Sequence, residues 1–223
     1  MARTKLADRK LPDYTRGEEL FNMISHIVGG AFGIVVLVLC VIKAAMNGNV
    51  YGVVGSAIYG FSMIALYTIS SVYHGLKTDL SKKVMQVIDH CTIYFLIAGT
   101  YTPVVLSALR VVNPAVAWTI FGIEWGFTAL AVTLTAIDLK KYIVFSMTSY
   151  IVMGWAILPF YKLTIEAMTY NGFMLLLIGG ICYTIGSILY GIGKKKRYMH
   201  NVFHVFVLLG SAFQFFAIIF YAL

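Results

Sequence analysis

Seven long apolar runs, separated by short polar connections, constrain the fold of this chain more than any other feature. A helix needs about 20 apolar residues to cross the hydrocarbon core of a bilayer, and each run reaches that length. Hydrophobic residues make up 60% of the sequence and charged residues only 12%, which is too little polar surface for a soluble domain. We therefore predict an all-α membrane protein, a seven-transmembrane helix bundle. The expected spans are 23–43, 50–74, 87–109, 114–137, 142–161, 171–192 and 200–222.

The positively charged residues predict the orientation of this bundle. If the chain crosses seven times, 14 of the 17 Lys and Arg residues fall on one side of the membrane. They lie in the N-terminal tail and in the connections 77–83, 138–141 and 193–197. The three on the other side are Lys43, Arg110 and Lys162. Because Lys and Arg are enriched in cytoplasmic loops, we expect a cytoplasmic N-terminus and an extracytoplasmic C-terminus.

This charge distribution also defines the expected domain organisation. We expect a basic cytoplasmic N-terminal tail over residues 1–17 and a single seven-helix transmembrane domain over residues 18–223. The net charge of +8 does not indicate nucleic-acid binding, since the basic residues are spread over short loops with no folded module behind them. The three cysteines lie inside apolar runs without regular spacing and are read as packing residues, with no disulfide framework.

The five histidines all lie near the boundary of the bilayer that the charges place inside. They are His26, His74, His90, His200 and His204. His200 and His204 are four residues apart, so a helix directs both rings to the same face. Ser70 stands in the same relation to His74 near the end of the second span. Asp89 begins the third span at the same boundary, which predicts that all these side chains meet.

The combination of imidazoles, a carboxylate and no usable thiolate suits Zn²⁺ best among the common metals, with Fe²⁺ and Mn²⁺ as alternatives. Three protein ligands plus a water are typical of a catalytic zinc site. Ionisable residues at membrane depth are costly and usually face the bundle interior for a reason. Glu124 in the fourth span is a further buried acid, for which a structural role or a place at a lipid-side cavity is expected.

Three motifs in this order resemble the hemolysin III proteins of bacteria. They are "SSVYH" (70–74), "DHCTIYFLIAGTYTP" (89–103) and "HNVFHVFVLLGS" (200–211), and "EELFNMISHIVGG" (18–30) matches the entry to the first helix of that family. Hemolysin III proteins are grouped with the progestin and adipoQ receptor family, in a superfamily of membrane hydrolases that includes alkaline ceramidases. The likeness extends from about residue 18 to the C-terminus.

The resemblance implies a zinc ion near the cytoplasmic face, bound by His74, His200 and His204. It also implies that Asp89 holds or activates the zinc-bound water and that Ser70 hydrogen-bonds nearby. Glu124 matches no motif of the family. His26 and His90 are also unplaced. We expect capping or interfacial roles for them, and the alternative is that they are hydrogen-bond partners of the metal ligands.

These observations leave three functions open for a multi-pass protein of the bacterial plasma (inner) membrane. The first is a zinc-dependent hydrolase that cleaves an amide or ester bond of a membrane lipid. The second is a non-enzymatic sensor or regulator of membrane composition with a structural zinc, and the third is a pore-forming cytolysin. A G-protein-coupled receptor is disfavoured because the predicted orientation is inverted relative to that class. The sequence decides neither the lipid, nor whether Asp89 binds zinc directly or through water, nor the oligomeric state.

Overall fold

The computed structural model describes residues 4–77, 79–193 and 196–223, and the elements within these ranges are all helices. Arg3, Lys194 and Lys195, which contribute to the charge asymmetry, lie outside the described residues. Six helical segments are long and apolar enough to cross a membrane, because the fifth and sixth helices together form one segment of 51 residues. The chain is a multi-pass helical membrane protein.

The helices follow the apolar runs closely, and two of them continue as π-helices. The long helices of the described residues are α1 (Arg16–Met46), α2 (Val50–Gly75), α3 (Leu80–Pro103), α4 (Pro114–Ile137), α5 (Ile143–Gly154), α6 (Tyr161–Gly193) and α7 (Met199–Ala217). α3 passes into a π-helix over Val104–Leu109 and a last turn over Arg110–Val112, and α7 passes into a π-helix over Ile218–Ala222.

The residues expected to connect the fifth and sixth spans, 162–171, are helical apart from Thr169 and belong to helix α6. α5 ends at Gly154 and a short 3-10 helix, Leu158–Phe160, leads directly into α6. Residues 161–168 are helical because they have an inward face, on which Thr164 and Met168 are buried. The helical backbone is interrupted only at Thr169, whose φ of 63° and ψ of 167° are not helical.

The helices bury polar side chains and expose apolar ones. On α1, Asn22 and His26 are buried, whereas Val28 and Ile34 are more than half exposed. This distribution is the opposite of that in a soluble protein. In a bilayer the exposed apolar side chains contact lipid, and the polar side chains find partners only inside the bundle.

Glycines allow the close approach of α1 to α2. A Cβ atom at Gly60 would lie 2.5 Å from the Cβ and 2.7 Å from the Cα of Leu37 on α1. Since lipid tails are as apolar as the helix surfaces, such close van der Waals packing is a main source of helix association in membranes.

We expect Gly60→Ala to destabilise the protein by about 1–3 kcal/mol, because overpacking forces two helices apart. Gly126→Ala is the matched control, since nothing lies within 4 Å of a Cβ at Gly126, and it should leave the stability unchanged or slightly raised. Thermal unfolding of both variants in detergent micelles checks this. Equal unfolding temperatures for the two variants would show that the close approach of Gly60 to Leu37 does not affect the stability of the protein.

The residues before α1 form a strap, defined here as residues 4–15, that packs across one end of the bundle. The backbone N–H of Thr4 donates to Asp138 Oδ2 over 2.8 Å, and Arg9 Nη2 donates to Gln86 Oε1 on α3, also over 2.8 Å. Hydrogen bonds from the backbone N–H groups of Thr4 and residues 140–141 hold the pKa of Asp138 below its usual value. The strap end of the bundle, which carries these contacts, is the end at which the histidines lie. The predicted division of the chain after residue 17 stays a prediction.

Candidate metal centre

Three histidines meet at the strap end of the bundle. His74 lies in the last turn of α2, and His200 and His204 lie in the first two turns of α7. All three side chains are buried, and one ring nitrogen from each lies within 4.8 Å of the others. This is the convergence expected from the sequence, and the group could hold a metal ion. Its role as a ligand set stays a prediction.

Hydrogen bonds from neighbouring residues orient two of the three rings. Nδ1 of His74 lies 2.6 Å from Oε2 of Glu19, and because a carboxylate only accepts, the nitrogen donates. Nδ1 of His204 lies 3.4 Å from the hydroxyl of Ser25. Metal-binding histidines in proteins are held in this way through the nitrogen that does not face the metal.

The remaining nitrogens fit a shared cation. Nε2 of His204 lies 3.1 Å from Nε2 of His200, close to the separation of about 3.3 Å that two ligands at 2.0–2.1 Å from a tetrahedral zinc would have. Nε2 of His74 is buried and has no hydrogen-bond partner. Buried polar atoms normally have hydrogen-bond partners. A metal cation shared with His200 and His204 would satisfy this nitrogen. Three imidazoles suit Zn, Cu, Fe or Ni.

Asp89 and Ser70 lie together in the cavity next to this group. Both residues line the same cavity. Asp89 is half-buried, since its exposed surface faces the cavity. Its carboxylate is not part of the three-residue ligand group.

His26 is not an interfacial or capping residue, so the expectation for it is wrong. Its ring is buried and stacks on that of His204, with centroids 3.8 Å apart. Neither ring nitrogen has a hydrogen-bond partner, and the side-chain amide of Asn22, one turn earlier, has none either. α1 therefore contributes a polar wall beside the three histidines.

His90 is also buried, and the interfacial role expected for it is wrong. Its Nδ1 lies 2.8 Å from the carbonyl oxygen of Gln86 and its Nε2 lies 3.1 Å from the hydroxyl of Tyr190. Both ring nitrogens therefore contact groups other than the three histidines of the ligand group. Glu124 is buried within α4, with Oε2 unpartnered, and it is not among the described residues that line the cavity.

No sequence pattern predicts Glu19 and Lys82 as neighbours of the site. Oε1 of Glu19 accepts a hydrogen bond of 2.6 Å from Nζ of Lys82, and Oε2 accepts the one from His74. Glu19 lies 55 positions from His74 along the chain, so no local spacing relates them. A glutamate in the first turn of a helix is ordinarily explained by the helix dipole alone.

A largely apolar cavity leads from His200 and His204 into the bundle. It begins beside Tyr14 of the strap, passes His200 and reaches Gln214 on α7. These last two residues are 14 positions apart, which corresponds to about 21 Å along a helix, or most of a hydrocarbon core about 30 Å thick. One face of α3, from Gln86 to Val104, lines it along its length, opposite parts of α5 and α6.

The strap closes the end of the cavity nearest the histidines. The ring of Tyr14 stacks on that of His200, with centroids 4.9 Å apart and planes inclined by 19°. Burial raises the pKa of the Tyr14 phenol above its ordinary value, so this ring is neutral at physiological pH. The metal centre is therefore shielded from water on this side by an uncharged aromatic group.

Comparisons with known proteins agree with this architecture. The family model described as "Haemolysin-III related" matches residues 14–215. "Hemolysin-3" of Bacillus cereus is 38% identical over 206 residues, which cover 92% of both chains. "Hemolysin-3 homolog" of Bacillus subtilis (strain 168) is 37% identical over 208 residues, covering 93% of this chain and 96% of that one. Human "Monocyte to macrophage differentiation factor" is 28% identical over 171 residues, covering 72% and 67%.

Fold and site together define a multi-pass helical membrane protein with a buried group of three histidines at one end of an apolar cavity. Within that class, the chain belongs to the haemolysin-III related family. The resemblance seen in the sequence motifs is thereby confirmed.

We expect the protein, purified in detergent without chelator, to carry one divalent metal per chain. His204→Ala should lose most of this metal, because one of three ligands is removed, whereas His90→Gln should retain it, because His90 lies outside the ligand group. Elemental analysis by plasma mass spectrometry measures the content. A metal at 100 times its dissociation constant stabilises by about 2.7 kcal/mol, so a chelator should also lower the unfolding temperature. Equal metal contents in the two variants would contradict the site.

Proposed function

We propose that this protein is a zinc-dependent hydrolase that acts on an amide or ester bond of a membrane lipid. The observation that carries the proposal is the position of three convergent imidazoles beside a cavity that Asp89 and Ser70 also line. Three protein ligands leave a coordination position for a reacting group, as in catalytic zinc sites. The length and apolar lining of the cavity suit an acyl chain.

The chemistry divides between the metal and the side chains. When bound, zinc would supply a nucleophile at neutral pH by lowering the pKa of a water toward about 7. Asp89 would take the proton of the attacking water and deliver it to the leaving group, as general acid–base catalysis requires. Ser70, on the wall of the same cavity, would donate a hydrogen bond to the developing oxyanion or orient the water. The apolar walls exclude bulk water, which strengthens the electrostatic interactions within the site.

A structural metal in a non-enzymatic membrane sensor is the alternative. Such a site should have all four positions filled by protein. The ligand group found among residues 4–77, 79–193 and 196–223 has three members, and the Asp89 carboxylate stands outside it. This favours the hydrolase, and the effect of Asp89 substitutions on metal binding discriminates between the two functions.

Substitution of Asp89 by Asn should abolish turnover and leave metal binding intact. We expect a loss of about 10²–10⁴-fold in rate, the usual contribution of a general acid–base residue. Fluorescent ceramides and phospholipids in mixed micelles serve as substrates, with chelated protein and His204→Ala as metal-free controls. The hydrolase is ruled out if wild-type protein shows no metal-dependent turnover on any of them. A loss of metal in Asp89→Asn would instead indicate a fourth ligand.

We further propose seven membrane spans with the strap end in the cytoplasm of a bacterial cell. The segment Ile143–Gly193 would extend about 76 Å as one straight helix of 51 residues, more than twice the thickness of the hydrocarbon core. Its interruptions, between Gly154 and Leu158 and at Thr169, support two crossings. Lys82, Lys83, Lys140 and Lys141 lie at the strap end, in agreement with a cytoplasmic location for this end.

The topology is tested by fusing reporters to the two termini. With seven spans, alkaline phosphatase fused after Leu223 should be active, because this enzyme matures outside the cytoplasm. Green fluorescent protein fused before Met1 should be fluorescent inside the cell. An inactive phosphatase together with a fluorescent C-terminal fusion would show an even number of spans.

A further inference from the structure

Glu19 lies between the metal centre and a buried lysine. Oε2 contacts Nδ1 of His74 at 2.6 Å, and Oε1 contacts Nζ of Lys82 at 2.6 Å. The Lys82 side chain is only 4% exposed, and its ammonium also donates to the carbonyl oxygen of Leu76 over 3.0 Å. One carboxylate thus joins the first turn of α1 to the last turn of α2 and the first turn of α3.

The neighbouring Glu18 shows what a merely structural glutamate does here. Its Oε2 accepts from the backbone N–H and the hydroxyl of Thr15, which completes the N-terminal capping box of α1. Its Oε1 accepts from the backbone N–H of Tyr198. These partners close helix ends, and none of them is a histidine of the ligand group. The two glutamates therefore have separate functions despite being adjacent.

We propose that Glu19 is the positioning residue of the metal centre, held in place by Lys82. The carboxylate fixes the proton of His74 on Nδ1, so that the lone pair of Nε2 faces the space shared with His200 and His204. It also fixes the plane of the ring and makes Nε2 a stronger electron donor. Lys82 balances the negative charge of Glu19 and donates a hydrogen bond to its other carboxylate oxygen, Oε1. This inference rests on the proposed function only in requiring that the three histidines bind a metal.

The buried and unpartnered Nε2 of His74 supports this role. If the contact between Glu19 and His74 served stability alone, the second ring nitrogen, Nε2, would be expected to have a hydrogen-bond partner as well. Burying such a nitrogen costs free energy, which a metal ligand recovers on binding the metal. Removing an outer partner of a metal-bound histidine typically weakens metal affinity by about 10–100-fold.

The experiment is a zinc competition titration against a chromogenic chelator, with metal-free full-length protein in detergent micelles. Glu19→Gln keeps the size of the side chain but removes its charge, and we expect affinity to fall by about 10–100-fold. Glu18→Gln is the matched control and should bind zinc as the wild type does. Unfolding temperatures of the metal-free proteins identify any variant that acts through stability instead.

A double substitution tests whether Glu19 acts through His74. In a His74→Ala background, Glu19→Gln should change the zinc affinity by less than about twofold, because Glu19 influences the metal only through the His74 ring. The inference is overturned if Glu19→Gln binds zinc like the wild type, if it weakens binding equally in the His74→Ala background, or if Glu18→Gln has the same effect. If the wild-type protein bound no zinc, the proposed function itself would be overturned. That outcome is distinct from the three above, in all of which the wild-type protein binds zinc.

Discussion

The hydrocarbon core of a membrane offers no water to a polar group, and this constraint shapes the whole molecule. Every backbone N–H and C=O must be paired within the chain, which allows helices and excludes open strands. Polar side chains must find their partners inside the bundle. Many buried serines and tyrosines of this protein pair with one another or with helix carbonyls, as Tyr67 does with Ser211 over 2.7 Å. The few groups left without partners are correspondingly informative.

Those unpartnered groups concentrate where α1, α2 and α7 meet at the strap end. They include Nε2 of His74, Nδ1 of His200, both nitrogens of His26 and the amide of Asn22. Leaving so many polar atoms unpaired in one place would destabilise the bundle unless a bound group compensated for them. A bound metal cation would satisfy Nε2 of His74 together with the Nε2 atoms of His200 and His204, which lie 3.1 Å apart. His26 stacks on His204 and fixes the plane of that ring from the side of α1.

The strap and the cavity give this centre two different boundaries. On one side Tyr14 covers His200, and Thr4 and Arg9 fasten the strap to Asp138 and Gln86. On the other side the centre opens into an apolar space bounded by α3, α5, α6 and α7. A ligand that reached the histidines from within the bilayer would do so without displacing the strap. This arrangement suits a lipid more than a water-soluble molecule.

The sequence by itself determined the helical class, most of the helix boundaries and the identity of the three converging histidines. The helical class and boundaries follow from the length of the apolar runs, and a spacing of four residues places His200 and His204 on one face. The convergence of His74 with them is expected because it lies at the same membrane boundary and because the motifs resemble those of the family. Only the tertiary structure decided the contacts of Glu19, Lys82, His26 and Tyr14, since each joins segments far apart in the chain. It also decided that α6 begins at Tyr161, where inward packing of Thr164 and Met168 outweighs the polar residues around them. Sequence spacing specifies what one helix presents on each face, whereas the packing of several helices specifies what each face meets.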